Sequence, residues 1–184
     1  KTLPELPDKK KDRFIKEYNL SAYEANVLVS ERDISDYYEK VAKISDKKLA
    51  ATWMMGDLFA MLNEKNLNIS QSPVSAQSLA ELVQSIKSGE ISGRIAKDVF
   101  EIMVKSGENP KKIIVTRGMK QQSNPKELEK IINEILLKNK DKVEQYKSGK
   151  EKLFGFFVGQ VMKVSGGKAN PQLVNEILKK TLKS

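Results

Sequence analysis

Only one run of β-branched residues, Ile113-Ile114-Val115, breaks a chain whose other apolar residues recur three and four positions apart. Three residues are too few to read as a strand, whereas the helical spacing continues from one segment to the next. The sequence therefore predicts an all-α protein. At 184 residues with 39% apolar side chains, it has enough length and hydrophobic content for one ordinary domain or two small ones.

The start signals divide this pattern into helices. Residues 1–7, KTLPELP, read as a linker, because two prolines in four residues oppose a helix and push the preceding residues extended. Asp8 is expected to cap a helix to about Tyr18 with Phe14 and Ile15 inward. Ser21 opens a second helix with Tyr23, Val27 and Leu28 on one side. Asp33 or Ser35 opens a third, with Tyr37, Tyr38 and Val41 buried. Asp46 begins the longest pattern, to about Lys65. Leu49, Trp53, Leu58 and Leu62 lie on its inner side, and Gly56 sits inside it, where it would admit a neighbouring helix. Ser75 caps a helix carrying Leu79, Leu82, Val83 and Ile86 that Ser88-Gly89 stops; another carries Val99, Phe100 and Met103 and ends at Ser106-Gly107.

Asn109-Pro110, Asn124-Pro125 and Asn170-Pro171 each place a capping side chain before a proline suited to the first helical position. The later two start helices with Leu128, Ile131, Ile132, Ile135 and Leu136, and with Leu173, Val174, Ile177, Leu178 and Leu182, on their inner sides. Shorter helices are expected around 141–146 and from about 150 to 164. This gives two helical units, a domain over 8–112 and a second over 113–184, split somewhere within 106–118.

Charge separates the same two parts. Residues 1–112 hold 18 Lys/Arg and 17 Asp/Glu, a net of +1, and residues 113–184 hold 15 and 7, a net of +8; together these make the chain's +9. A near-neutral body with a basic end suits an electrostatic footprint for a polyanion, and suits equally a lysine-rich surface kept for solubility.

Composition also excludes chemistry. There is no cysteine, hence no disulfide or thiolate, and no histidine, hence no Ser-His-Asp triad and none of the commonest zinc ligands. The acids at Asp33, Asp36 and Glu39, and at Glu127 and Glu134, fall at helical spacing without an acid–base or metal partner and read as solvated helix faces. No catalytic and no metal-binding residue is assigned. No apolar run approaches the roughly 20 residues of a membrane span. The start, Lys1-Thr2-Leu3-Pro4, has neither an initiator Met nor an apolar leader core, so a piece of a longer protein is expected.

Three local features in the basic end bear on binding. Ser165-Gly166-Gly167-Lys168-Ala169-Asn170-Pro171 puts a glycine turn and two flanking lysines, Lys163 and Lys168, beside a helix start whose free amides favour an anion; the alternative is an ordinary glycine C-cap followed by an asparagine N-cap. It is not a P-loop, since Ala169 replaces the hydroxyl residue and a helix precedes it. Around Gly149, Lys147, Lys150 and Lys152 crowd a second turn, with Tyr146 able either to stack on an unpaired base or to lay its ring on the core. Gly155 and Gly159 share a helix face and are expected to permit close helix packing.

The stretches VEQYKSGKEK (143–152), GFFVGQVMK (155–163) and GKANP (167–171) resemble the tail domain of the B subunit of aspartyl/glutamyl-tRNA amidotransferases. LPELPD (3–8), SPVS (72–75) and ISGRIAK (91–97) resemble that subunit's helical region, so the resemblance covers essentially the whole chain. It implies a part in converting Glu-tRNA(Gln) to Gln-tRNA(Gln) and Asp-tRNA(Asn) to Asn-tRNA(Asn), with ATP activating the carboxylate and glutamine supplying ammonia. It implies A and C subunits and tRNA of the Gln or Asn type as partners, a cytoplasmic setting and no membrane. It also implies that ATP and Mg are held by an N-terminal domain this chain lacks, so no cofactor site is expected here. What remains resembles the part that grips the outer corner of the tRNA. Combined with the local chemistry, it nominates Lys147, Lys150, Lys152, Lys163 and Lys168 as phosphate contacts. Gly166, Gly167 and Asn170 would build the turn, and Gln160 and Gln172 are the candidates to reach 2′-hydroxyls or base edges. A structural or protein-interaction module without an RNA role is the alternative.

Overall fold

Local capping chemistry sets most of the helix boundaries. The computed structural model describes residues 5–122 and 124–183. Its first helices are α1 (Pro7–Tyr18), α2 (Ala22–Val29), α3 (Arg32–Ile44) and α4 (Lys47–Trp53), which runs through a π-helical turn at Met54–Leu58 into α5 (Phe59–Glu64). A 3₁₀ turn at Ile69–Gln71 leads to α6 (Ala76–Lys87), α7 (Gly93–Ser106) and α8 (Pro110–Thr116). The basic end holds α9 (Pro125–Lys138), α10 (Lys140–Lys147), α11 (Leu153–Val164) and α12 (Pro171–Lys183). No strand occurs among the described residues; the nearest thing to one is an isolated parallel bridge between Gln122 and Ala169. The protein is all-α.

The one β-branched run lies inside α8, with Ile113 and Ile114 buried and Val115 outward. Asn109 explains why: its Oδ1 accepts the Lys111 N–H at 2.9 Å and Pro110 takes the first helical position. Ser21 and Glu24 form a reciprocal capping box on α2. Ser75 Oγ accepts the Ser78 N–H on α6.

Several starts differ from expectation. Of the proposed linker, residues 1–4 lie outside the described residues, and Pro7 is already helical: α1 begins there, after Leu6, with no side-chain cap. A proline whose absent N–H costs nothing in the first turn makes Asp8 unnecessary as a cap. Likewise α3 begins at Arg32 after Glu31, not at Asp33 or Ser35; Ser35 is buried and its hydroxyl donates to the Arg32 carbonyl at 2.9 Å. Tyr23 is exposed, because Ala25 and Leu28 carry the buried face of α2. Gly56 is exposed in the π turn and an added Cβ would meet nothing within 4 Å, so it admits no neighbouring helix.

The chain divides into two compact units, 1–88 with 96–117, and 89–95 with 118–184. In the first, α3 packs on α4 and α6, α1 on α2, and α6 on α8. Its aromatic centre joins Phe14 and Tyr38, both fully buried, with ring centroids 5.0 Å apart in an edge-on arrangement. Asp36 and Glu39 are not the merely solvated face expected of them. Lys10 Nζ on α1 reaches Glu39 Oε2 at 2.9 Å and Asp36 Oδ1 at 3.4 Å, and Arg13 also binds Glu39. Helical spacing of acids says nothing about cations arriving from another helix.

Asp46 carries a testable share of the first unit's stability. Its Oδ1 accepts the Leu49 N–H at 2.8 Å and its Oδ2 pairs with Lys87 at 2.9 Å. The backbone hydrogen bond from Leu49 first, and the Lys87 ammonium second, hold its carboxyl below the usual aspartate range. A carboxylate with a depressed folded pKa stabilises above its unfolded value, near 3.9, and loses that contribution as pH falls through the folded value. Replacing it as Asp46→Ala should cost about 1 kcal/mol in urea unfolding at neutral pH. The difference from wild type should shrink as pH drops below about 4. A pH-independent difference would contradict this account.

Candidate nucleic-acid interface

The second unit is a small bundle in which α9, α11 and α12 pack on one another and α10 lies against α9 and α11. Leu128, Ile132, Phe157, Val161, Val174 and Leu178 form its fully buried centre. That centre uses one face of each helix and leaves the lysines outside.

The first lysine turn joins α10 to α11. Lys147 is the last residue of α10 and is exposed. Gly149 has φ +105° and makes the reversal, a region where L side chains are strained. Lys150 Nζ donates to Gln145 Oε1 at 3.1 Å, and Lys152, exposed, precedes α11 without a cap bond. Tyr146 lays its ring inward, packed against the core cluster, its centroid 6.3 Å from that of Phe154. It is not splayed for base stacking.

Along α11, Phe157 and Val161 are buried, Gln160 is half-buried and Lys163 is exposed. Gly155 and Gly159 do not pack against another helix: both are exposed and an added Cβ on either would meet nothing within 4 Å. Phe157 and Val161 face the core and Phe154, Phe156 and Val158 pack against it, which turns the glycine side outward.

The second turn is a structural joint. Gly166 and Gly167 have φ +59° and +78°, and the Gly167 N–H bonds back to the Met162 carbonyl at 2.8 Å. Gly167 is buried, while Gly166 is exposed. Lys168 Nζ donates to the Gly118 carbonyl at 2.9 Å. The Gln122 N–H bonds to the Lys168 carbonyl at 2.6 Å, and the Asn170 N–H to the Gln122 carbonyl at 3.0 Å. The Gln121 N–H reaches the Glu90 carbonyl at 2.7 Å, which ties the 89–95 segment to the same place.

The idea that the amides at the start of α12 await an anion is overturned. Asn170 Oδ1 accepts from the Gln172 N–H at 3.0 Å and the Leu173 N–H at 3.3 Å, and Pro171 has no N–H to offer. Gln172 is exposed on the first turn. The turn is a glycine C-cap followed by an asparagine N-cap.

The nominated residues thus fall into two groups. Lys147, Lys152 and Lys163 are exposed cations with no hydrogen bond or ion pair among the described residues. Gly166, Gly167, Lys168 and Asn170 hold a joint together, and Lys150 is tethered to Gln145 of α10. None of the five lysines pairs with a carboxylate among the described residues. Sequence reasoning missed Arg94, whose guanidinium lies over this joint: a Cβ on Gly167 would sit 3.5 Å from Nη1 and 3.7 Å from Cζ. The available signal was a cation in the first turn of α7, where the helix dipole disfavours one.

A family model described as GatB domain matches residues 36–182. The B subunit of the aspartyl/glutamyl-tRNA(Asn/Gln) amidotransferase of Pelagibacter ubique is 58% identical over 98% of this chain and 37% of its own length. The same subunit of Nitrosococcus oceani is 53% identical over 98% of the chain and 38% of its own length, and that of Persephonella marina 48% over 100% and 39%. The chain thus spans little more than a third of the relatives it matches. A family match over most of the chain, with identity of this order along its whole length, leaves one conclusion, that the chain belongs to the GatB domain family.

Proposed function

We propose that the second unit binds the phosphate backbone of a folded tRNA, as the non-catalytic C-terminal part of a tRNA-dependent amidotransferase B subunit. The observation that carries this reading is the set of exposed lysines, Lys147, Lys152 and Lys163, left without carboxylate partners in a region of net +8. Lysines kept for general solubility are usually interspersed with acids; unneutralised ones attract a polyanion. Recognition would be of shape and phosphate, with 2′-hydroxyl contacts from Gln160 or Gln172, because a folded RNA offers few readable base edges.

The whole protein would amidate Glu-tRNA(Gln) or Asp-tRNA(Asn), with A and C subunits, on polypeptide outside this chain. Among the described residues no three carboxylates, histidines or cysteines gather into a group that could hold an ion. No step of that reaction is therefore assigned to these residues. Among the described residues no helix is long and apolar enough to cross a membrane, and a cytoplasmic setting is part of the same proposal.

Titrating a labelled tRNA(Gln) transcript with the full chain tests the proposal. Saturable binding that weakens about a hundredfold between about 50 and 200 mM salt is expected for roughly four phosphate contacts. Absence of binding at low salt, or binding indifferent to salt, would sink it.

A further inference from the structure

Arg94 sits where stability alone argues against a cation. It is the second residue of α7, and the unsatisfied amides of a first helical turn carry partial positive charge that favours acids there. It is exposed and has no carboxylate partner among the described residues. A nearby cation in the same unit, Lys120, is neutralised by Glu90 at 3.2 Å. Arg94, like Lys147, Lys152 and Lys163, is left without such a partner among the described residues.

Its side chain packs against the joint. A Cβ on Gly167 would lie 3.5 Å from Nη1, 3.7 Å from Cζ and 3.8 Å from Cδ, so the side chain lies across the Gly167 backbone from stem to fork. Gly167 is in the left-handed region at φ +78°, which favours glycine, and the guanidinium lies within ordinary van der Waals reach of it. Ser92 Oγ accepts the Ile95 N–H at 3.2 Å and fixes the start of the helix that carries Arg94. Beside it in the chain of the turn, Lys168 spends one ammonium proton on the Gly118 carbonyl at 2.9 Å and keeps two donors. A guanidinium packed on the joint, with an ammonium that keeps two free donors on the residue after Gly167, has the chemistry of a phosphodiester clamp.

We propose that Arg94, from a segment remote in sequence from the lysine-rich end, is a phosphodiester-binding residue of the RNA interface, placed against the Gly167 turn beside Lys168. The proposal rests on the second unit's binding RNA. It adds a site residue of a different kind: a planar fork packed against a backbone joint, where the lysines are point charges.

The test compares wild type, Arg94→Gln and Arg94→Lys in the full chain, each titrated with a tRNA(Gln) transcript over a range of salt and each melted thermally. Arg94→Gln should weaken binding about tenfold at low salt and reduce the steepness of the log–log salt dependence by about one. Arg94→Lys should restore most of the salt dependence and only part of the affinity, because the charge returns without the fork. The melting temperature of Arg94→Gln should equal or exceed that of wild type, since a cation facing a helix N-terminus is removed. Wild-type affinity and slope in Arg94→Gln, with the wild type binding normally, would overturn the role of Arg94 alone. A lower melting temperature with unchanged binding would likewise overturn it and make Arg94 a strut for the joint. Failure of the wild type itself to bind would overturn both this proposal and the reading beneath it.

Discussion

Phe157→Ala is expected to unfold the second unit. Phe157 is fully buried at the centre of the cluster formed by α9, α11 and α12. Its ring meets Phe156 edge-on at 5.6 Å. Truncating a buried phenylalanine costs about 3–5 kcal/mol, from lost transfer energy and the cavity left behind. The unit comprises 89–95 and 118–184. A domain of that size has roughly 4–11 kcal/mol of stability in total, so the substitution removes most of it. The melting transition of that unit should fall by roughly 15–30 °C, read by circular dichroism or by amide exchange on α9, α11 and α12, and RNA binding should fall with it. Phe156→Ala is the control. Phe156 is half-buried and holds the Lys142 ammonium over its ring at 4.0 Å, so its loss should cost about 1–2 kcal/mol. Equal effects at the two positions would mean that the burial assigned to α11 is wrong.

That contrast was legible in the sequence only in part. Phe157 and Val161 fall on the inner side by spacing, as do Leu128, Ile132, Val174 and Leu178, because a 3.6-residue period is a local property of the chain. The starts at Asn109, Asn124 and Asn170 were legible for the same reason. Each asparagine binds the amide two residues on, and nothing distant is needed. The joint was not legible. Lys168 and Gly118 are 50 residues apart, and the bonds from Gln122 to 168 and 170 are backbone to backbone, so no side-chain pattern announces them. Nor does anything in ISGRIAK announce that 89–95 groups with 118–184 rather than with the helix before it. Gly155 and Gly159 invited a packing role because small residues at helical spacing permit one. Which side of α11 faces the core is decided by its phenylalanines, and that side excludes the glycines. Lys10, Arg13 and Glu39 meet across helices, beyond the reach of any spacing rule.

The same distinction between local and remote determinants sets the expected result for the lysines. Lys147, Lys152 and Lys163 are exposed, bear no ion pair among the described residues and belong to no capping or joint interaction. Lys150 and Lys168 are tethered, to Gln145 and to the Gly118 carbonyl. A triple variant Lys147→Ala, Lys152→Ala and Lys163→Ala therefore removes charge from the outside of the bundle with little else. Surface substitutions of this kind usually change stability by less than about 0.5 kcal/mol each, so the fold should persist and the melting temperature should move by only a few degrees. Binding should not persist. Each lost phosphate contact lowers the slope of log affinity against log salt by about 0.9, and three lower it by roughly 2–3, with affinity at low salt falling on the order of a hundredfold or more. Lys168→Ala gives the opposite pattern if its Gly118 bond matters to the joint, with stability falling alongside affinity. A triple variant that binds a tRNA transcript as wild type does, with the same salt slope, would move the interface off this face of α10 and α11. One that loses affinity without any change of slope would show that the lysines act on the fold and not on the phosphates, because counterion release is the one contribution that a purely structural role leaves untouched.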